Sequence, residues 1–419
     1  MGGRFRAGLL AVGAWFGATV AAQAQETTRE GGKSRSDGGP FFQMELEASF
    51  RIDGPVATDF TPTRAAQMYL DDFHAHFAGF ANDWLSLQGL IKGEPVRSLE
   101  PRRSEAFRGF GLFIEQLYVN ADFNVVDLFV GKIKPTFAYL HDHHRVPGLF
   151  AVDFTEDYET VDFVGAGFSL RGNFQEDGWG RHELTAQTFF ADRTFLHRSI
   201  ITAPRAGGST VERQSRLRKS DGGLGNTERF NNFSVTLDSA EFAFLPGLGI
   251  HLGYRFLHRG KAGVAAGTET RNEHGFAIAV DYTAEVKDFI LPGKTTIRPA
   301  IEWVRLRDAS GNRGVATYWG GNLIVNHREW TWHLTGTLRH VDVPGSIAVR
   351  DRLFATSLFY QLDNRWRVGG GYTYQRVRDA DTGKNTNDHV IGVKIAWSYD
   401  FSIGVKEAPG RPRGAPHRH

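Results

Sequence analysis

Along most of the chain, large apolar side chains recur at every second position. Between Gly392 and Phe401 they are Val393, Ile395, Trp397, Tyr399 and Phe401, with Lys394, Ala396, Ser398 and Asp400 between them. A period of two is the spacing of a strand with one apolar and one polar face. The same alternation puts Met44, Leu46, Ala48, Phe50 and Ile52 opposite Glu45, Glu47, Ser49 and Arg51. It puts Ile250, Leu252, Tyr254 and Phe256 opposite His251, Gly253 and Arg255. Trp330, Trp332, Leu334 and Leu338 stand opposite His333, Thr335, Thr337 and Arg339, and Trp366, Val368, Tyr372 and Tyr374 opposite Arg367, Thr373 and Gln375.

The connectors alternate too. Ala81–Asp83, Phe123–Val125, Leu245–Leu248 and Asp363–Arg365 are short turn signals, whereas Glu94–Phe107, Lys134–Thr160, Leu196–Asn226 and Arg259–Glu273 are long and polar. Short turns on one rim and long loops on the other are the layout of a transmembrane β-barrel. The pattern predicts an all-β, antiparallel barrel of about 16 strands, with 14 to 18 allowed. The strands fall at 42–52, 67–80, 84–92, 108–122, 126–133, 161–174, 182–195, 229–243, 249–259, 274–286, 295–306, 315–326, 329–341, 351–362, 365–378 and 388–401. Both ends of the barrel domain, 42–401, then lie on the short-turn, periplasmic rim. The alternative is a secreted soluble all-β protein, carbohydrate-binding or hydrolytic, which would bury the aromatic faces between two sheets.

Composition narrows the classes. Residues 1–24 carry Arg4 and Arg6, an apolar stretch and a small-x-small site at Ala22-Gln23-Ala24, as in a secretory signal. Residues 25–41 read as a flexible leader and 402–419, with three prolines, as a disordered tail. The chain has no cysteine, which removes disulfides, thiol catalysis and cysteine-ligated zinc. Mean hydropathy is −0.33, and no apolar run past the leader is long enough for a membrane helix. The 49 Lys and Arg include Arg4 and Arg6 of the leader, so the rest of the chain balances its 47 Asp and Glu. That balance gives no nucleic-acid-binding bias.

The strand ending at Phe401, the long loop after Leu128–Pro135 and the stretch PGLFAVDFTEDYETVDFVGAGF (Pro147–Phe168) carry a resemblance. The chain resembles the Gram-negative outer-membrane porins, among which the last stretch is similar to the phosphate-selective group. One departure is that 18 residues follow Phe401, where such porins end on the terminal Phe. The resemblance implies a channel for small hydrophilic solutes or ions, in contact with outer-membrane lipid, lipopolysaccharide and the barrel-assembly machinery. It also implies a homotrimer, a preference for anions and a loop, 134–160, folded into the lumen.

Candidate selectivity residues follow from position. The loop 134–160 carries Asp142, Arg145, Asp153, Glu156 and Asp157; the polar strand faces carry Arg255, Arg298, Arg339, Arg365 and Arg367. Loop acids facing wall arginines would set a field across a narrow, low-dielectric opening, or the arginines would favour anions. The competing reading pairs the arginines with wall acids such as Asp281 and Glu302. No metal, cofactor or catalytic residue is assigned. His141 to His144 and the pair His74 and His76 have ligand chemistry, but histidines on a polar surface or lumen are more often simply polar. No Ser–His constellation or phosphate-binding loop stands out, and Gly369-Gly370-Gly371 reads as an aid to strand curvature.

Overall fold

The computed structural model describes residues 41–59, 66–95, 105–106, 110–142, 145–200, 203–204, 210–211, 217–260, 271–288 and 292–403. The signal at 1–24, the leader up to residue 40, His143, His144 and the tail from residue 404 lie outside the described residues.

The alternating segments form sixteen barrel strands. They are β1 (Phe41–Thr58), β2 (Gln67–Phe80), β3 (Leu85–Pro95), β4 (Phe110–Asp122), β5 (Val126–Ile133), β6 (Phe163–Phe174), β7 (Gly180–Ala191) and β8 (Asn232–Ala240). Then follow β9 (Leu248–Leu257), β10 (Glu273–Tyr282, resuming over Ala284–Lys287), β11 (Lys294–Arg307), β12 (Val315–His327) and β13 (Trp330–Asp342). The last are β14 (Val349–Gln361), β15 (Trp366–Arg378) and β16 (Asn385–Ile403). Each pairs antiparallel with its sequence neighbours, and β1 pairs antiparallel with β16 from Phe42 and Ile403 to Thr58 and Asp388. That last seam closes the cylinder, so no barrel strand keeps an open edge.

Element ends moved where local chemistry overrode periodicity. β1 continues six residues past Ile52, because Asp53-Gly54-Pro55 is absorbed into the seam and the register shifts between Pro55 and Ala57 instead of turning. β7 stops at Ala191, where the Asp192 carboxylate accepts the Thr194 N–H and starts a short 3-10 turn. β16 runs on through Ile403, past the residue at which the sequence predicts it to stop.

The apolar faces point outward. Ile278, Leu252, Ile301, Phe354, Val393 and Ile395 are large apolar side chains left exposed on the cylinder wall. Exposed apolar surface this continuous marks contact with something apolar. Aromatics gather toward both rims. At the short-turn end Phe41 stacks on Phe80 with centroids 4.1 Å apart, Trp84 on Phe123 at 5.7 Å and Trp397 on Tyr399 at 6.0 Å. At the other end Tyr254 packs on Phe276 at 4.9 Å and Tyr374 on His389 at 4.9 Å. A soluble sandwich would have enclosed Trp366 and Trp397; here Trp366 is exposed and Trp397 half-buried, paired with each other across β15 and β16.

No helix among the described residues is long and apolar enough to cross a membrane, a statement that leaves strands untouched.

Candidate functional site: the loop inside the barrel

The long connection after β5 folds into the cylinder. Its apolar residues, not its polar ones, lead it there. Phe137, Leu140, Val146, Leu149, Phe150 and Tyr158 are each at most 2% exposed. They pack on small or apolar inward residues: Phe137 and Tyr158 on Ala277, Val304 and Tyr318, Leu140 and Val146 on Ala279 and Ala300, and Leu149 and Phe150 on Leu353 and Phe359. The wall is carved to receive the loop. A Cβ on Gly253 would run into the Phe137 carbonyl, and one on Gly371 would press on Leu149 at 3.2 Å.

Polar anchors then fix its position. The Glu302 carboxylate on β11 accepts the Tyr139 N–H, the Leu140 N–H at 3.1 Å and the Tyr158 hydroxyl at 2.6 Å. His251 on β9 reaches the Phe137 carbonyl with Nε2 at 3.0 Å while Nδ1 meets Asp238 at 2.9 Å. Ser357 on β14 accepts the Leu149 N–H at 3.1 Å, and Gln187 on β7 accepts the Thr136 N–H at 2.8 Å. The loop is thus tied to the inner wall from β7 to β15, where Gln375 donates to Asp153.

The candidate charges separate into three groups. Arg255 is 3% exposed, paired with Glu273 at 2.7 Å and donating to the Tyr158 carbonyl and to Thr160 Oγ1 at 2.9 Å, with its guanidinium 4.5 Å over the Phe137 ring. Arg339 bridges loop and wall, 2.5 Å from Asp157 and 2.7 Å from Asp351. Arg145 sits 3.3 Å from Asp142 and 3.5 Å from Asp238, stacked 4.4 Å over Tyr139. These three take a pairing arrangement, but with Glu273, Asp157, Asp351, Asp142 and Asp238 in place of the expected Asp281 and Glu302, the latter being taken by loop donors. Glu156 lies half-buried in the 3-10 turn Thr155–Tyr158.

Arg298 and Arg367 differ. Arg298 donates to the Arg145 carbonyl at 2.8 Å, and Arg367 stacks 4.8 Å over Phe359; neither has a carboxylate at ion-pair distance among the described residues. Both lie near His333 on β13, between their strands β11 and β15. Arg365 is not with them. It sits in the turn before β15, exposed, over the outward ring of Tyr399 at 4.9 Å. Its parity matched Arg367, but strand parity does not extend into a turn.

No family model matches the chain, and no curated protein matches it. Solved structures do. The outer membrane channel DcaP of Acinetobacter baumannii superposes with a TM-score of 0.53 at 10% identity, covering 87% of this chain and 99% of that one. OprB of Pseudomonas putida gives 0.53 at 10% identity, over 90% and 97% of the two chains. OmpF of Salmonella typhi gives 0.50 at 10%, over 85% and 97%. The chain has the outer-membrane porin fold. At such identities the likeness concerns the fold alone.

Within this porin fold the residues that hold the loop are the ones sequence reading placed least well. Glu302 was visible only as a wall acid and His251 only as a polar position on an inward face, and Ser357 and Gln187 were not singled out. The usable signal was the run of Gly and Ala on inward positions of β9 to β12, such as Gly253, Ala277, Ala279 and Ala300. Small residues facing a lumen leave room for a second layer.

Proposed function

We propose that the protein is an outer-membrane channel for passive diffusion of small hydrophilic solutes and ions, with a preference for anions. The observation that carries it is the pairing of an apolar, aromatic-rimmed outer wall with an inner wall where Arg298 and Arg367, near His333, have no carboxylate at ion-pair distance among the described residues. Barrels of about sixteen strands leave an aqueous interior, and what lines the narrowest part sets selectivity. Two guanidinium groups without an ion-paired carboxylate, Arg367 having Glu47 only as a more distant neighbour, attract anions into a low-dielectric passage. Asp153 and Asp157 are engaged by Gln375 and Arg339 and oppose that field less than free carboxylates would.

Residues 1–24 serve export in this reading, and 42–401 form the channel domain. Its partners are outer-membrane lipid, lipopolysaccharide, the barrel-assembly machinery and two further copies of itself. The protein performs no chemistry on its solutes.

The test is reconstitution in planar bilayers across a potassium chloride gradient. Discrete ohmic steps with a zero-current potential of the anion sign are expected. Protein that shows the heat-dependent gel shift of a folded barrel, yet no conductance, overturns the reading. The mass of the detergent-solubilised particle reads the assembly state.

A further inference from the structure

Three ligand-bearing side chains meet on the inner face of β1 and β2, away from the docked loop's anchors. His74 and His76 are two apart on β2 and share a face, with their rings edge-to-face at 5.5 Å. Glu47 is the direct cross-strand partner of His74, and Glu45 that of His76. One ligand atom from each of Glu47, His74 and His76 lies within 4.8 Å of the other two. We propose that these three residues bind a divalent transition-metal ion of the zinc or copper class.

The geometry around His74 is the decisive part. Its Nε2 lies 2.8 Å from Asp72 Oδ1, and its Nδ1 faces Glu47 Oε2 at 3.7 Å. An acid on one ring nitrogen fixes the hydrogen there and turns the lone pair of the other toward the metal, the arrangement in which carboxylates orient metal-bound histidines. Either a proton on Nδ1 or a metal ion between the two groups satisfies that approach. Two imidazoles and one carboxylate suit zinc, copper or nickel. Ligand atoms around a tetrahedral zinc stand roughly 3.3 Å apart, so the three must close by about 1–1.5 Å. Glu47 has the freedom to do so, since its side chain is 37% exposed, whereas His74 and His76 are 3% and 9% exposed.

The surroundings hold charges of both signs. Glu45 and Asp400 face each other across the seam, and Lys92 is the β3 partner of His74. Lys394 pairs with Asp71 at 2.7 Å, and Arg367 lies near Glu47. Glu45, across from His76, supplies a further oxygen at the fourth position, or water does. Glu47, half-buried and the most accessible of the three, is the entry point from the lumen.

The test uses the folded full-length protein in detergent at pH 7.5, titrated with cobalt(II) as a visible-band probe and then with zinc. One cobalt per chain, with bands that vanish as zinc displaces it, is expected. Glu47→Gln and His76→Ala should each weaken binding by about 10-fold or more. A variant with His141, His143, His144, His417 and His419 all changed to alanine should bind as the parent does. No saturable binding overturns the proposal, as does binding lost in the five-histidine variant. Binding unchanged in Glu47→Gln and His76→Ala, with folding verified by the heat-shift gel, also overturns it and leaves His74 as an imidazolium held between Asp72 and Glu47. Conductance plays no part in these readouts, so their failure is separable from failure of the channel reading.

Discussion

The Tyr158 hydroxyl donates to the Glu302 carboxylate at 2.6 Å, joining the end of the inner loop to the middle of β11. The same carboxylate accepts two loop N–H groups, from Tyr139 and Leu140. Removing it with Glu302→Ala leaves three buried donors without an acceptor, at roughly 1–3 kcal/mol each. The strands do not depend on it. Heat-shift gels should therefore show an intact barrel, while trypsin cuts within 134–160 far faster than in the parent.

Gly253→Val tests the fit of the loop against the wall from the other side. The new side chain would occupy the place of the Phe137 carbonyl, so the first part of the loop must move off β9. Single-channel conductance and current noise should both rise. An unchanged trace would mean that the docked loop does not limit passage.

Charge reversal separates the two classes of arginine. Arg298→Glu and Arg367→Glu should shift the zero-current potential toward cations, and the double variant more than either. Arg255→Gln should leave selectivity nearly unchanged, because Glu273, the wall and the loop already enclose that charge. Its cost falls on stability, on the order of 3–5 kcal/mol for stranding the buried Glu273. Equal shifts from all three variants would contradict this division.

The outward band gives a test of environment. Ile278→Arg on an exposed position of a soluble protein would change stability by less than about 0.5 kcal/mol. On a wall bathed in hydrocarbon it should lower stability by about 2–4 kcal/mol near the midplane. Urea unfolding in lipid vesicles measures the difference.

The turn at Asp363 carries a pH dependence. Its carboxylate accepts the N–H groups of Arg365 at 2.7 Å and Trp366 at 2.8 Å, which holds its pKa below the usual carboxylate value. A depressed pKa stabilises the fold above the unfolded-state value of about 3.9, and that contribution disappears as pH falls through the folded value. The gap in urea midpoint between the parent and Asp363→Ala should be widest at neutral pH and shrink below pH of about 4.

Most of the cylinder was legible in the sequence, because a strand between lipid and water must alternate at every step. Thus Trp397, Tyr399 and Phe401 announced β16 without reference to any partner. The inward parity of Arg255, Arg298, Arg339 and Arg367 followed from the same rule. Which of them were neutralised did not follow. Arg339 meets Asp157 and Tyr158 meets Glu302 across 182 and 144 positions of chain, and no local pattern encodes such a contact. His74 and His76 were visible as a pair, but Glu47 joined them only once the β1–β2 register was known. Gly371 was read as an aid to strand curvature; a Cβ there would also meet Ser357 and the Thr356 carbonyl of β14 at 2.9 Å and Leu149 of the loop at 3.2 Å.

The β1–β16 seam also governs how the molecule comes into being. Asp59 and Asn387, joined at its far end, are 328 positions apart, so this contact forms only after nearly the whole polypeptide has arrived. Until then the growing sheet carries two unsatisfied rims, each able to template another copy, and ring closure between such distant segments is slow. A chain ending before Asn385 would not make a slightly weaker cylinder. It would keep both rims permanently and should aggregate.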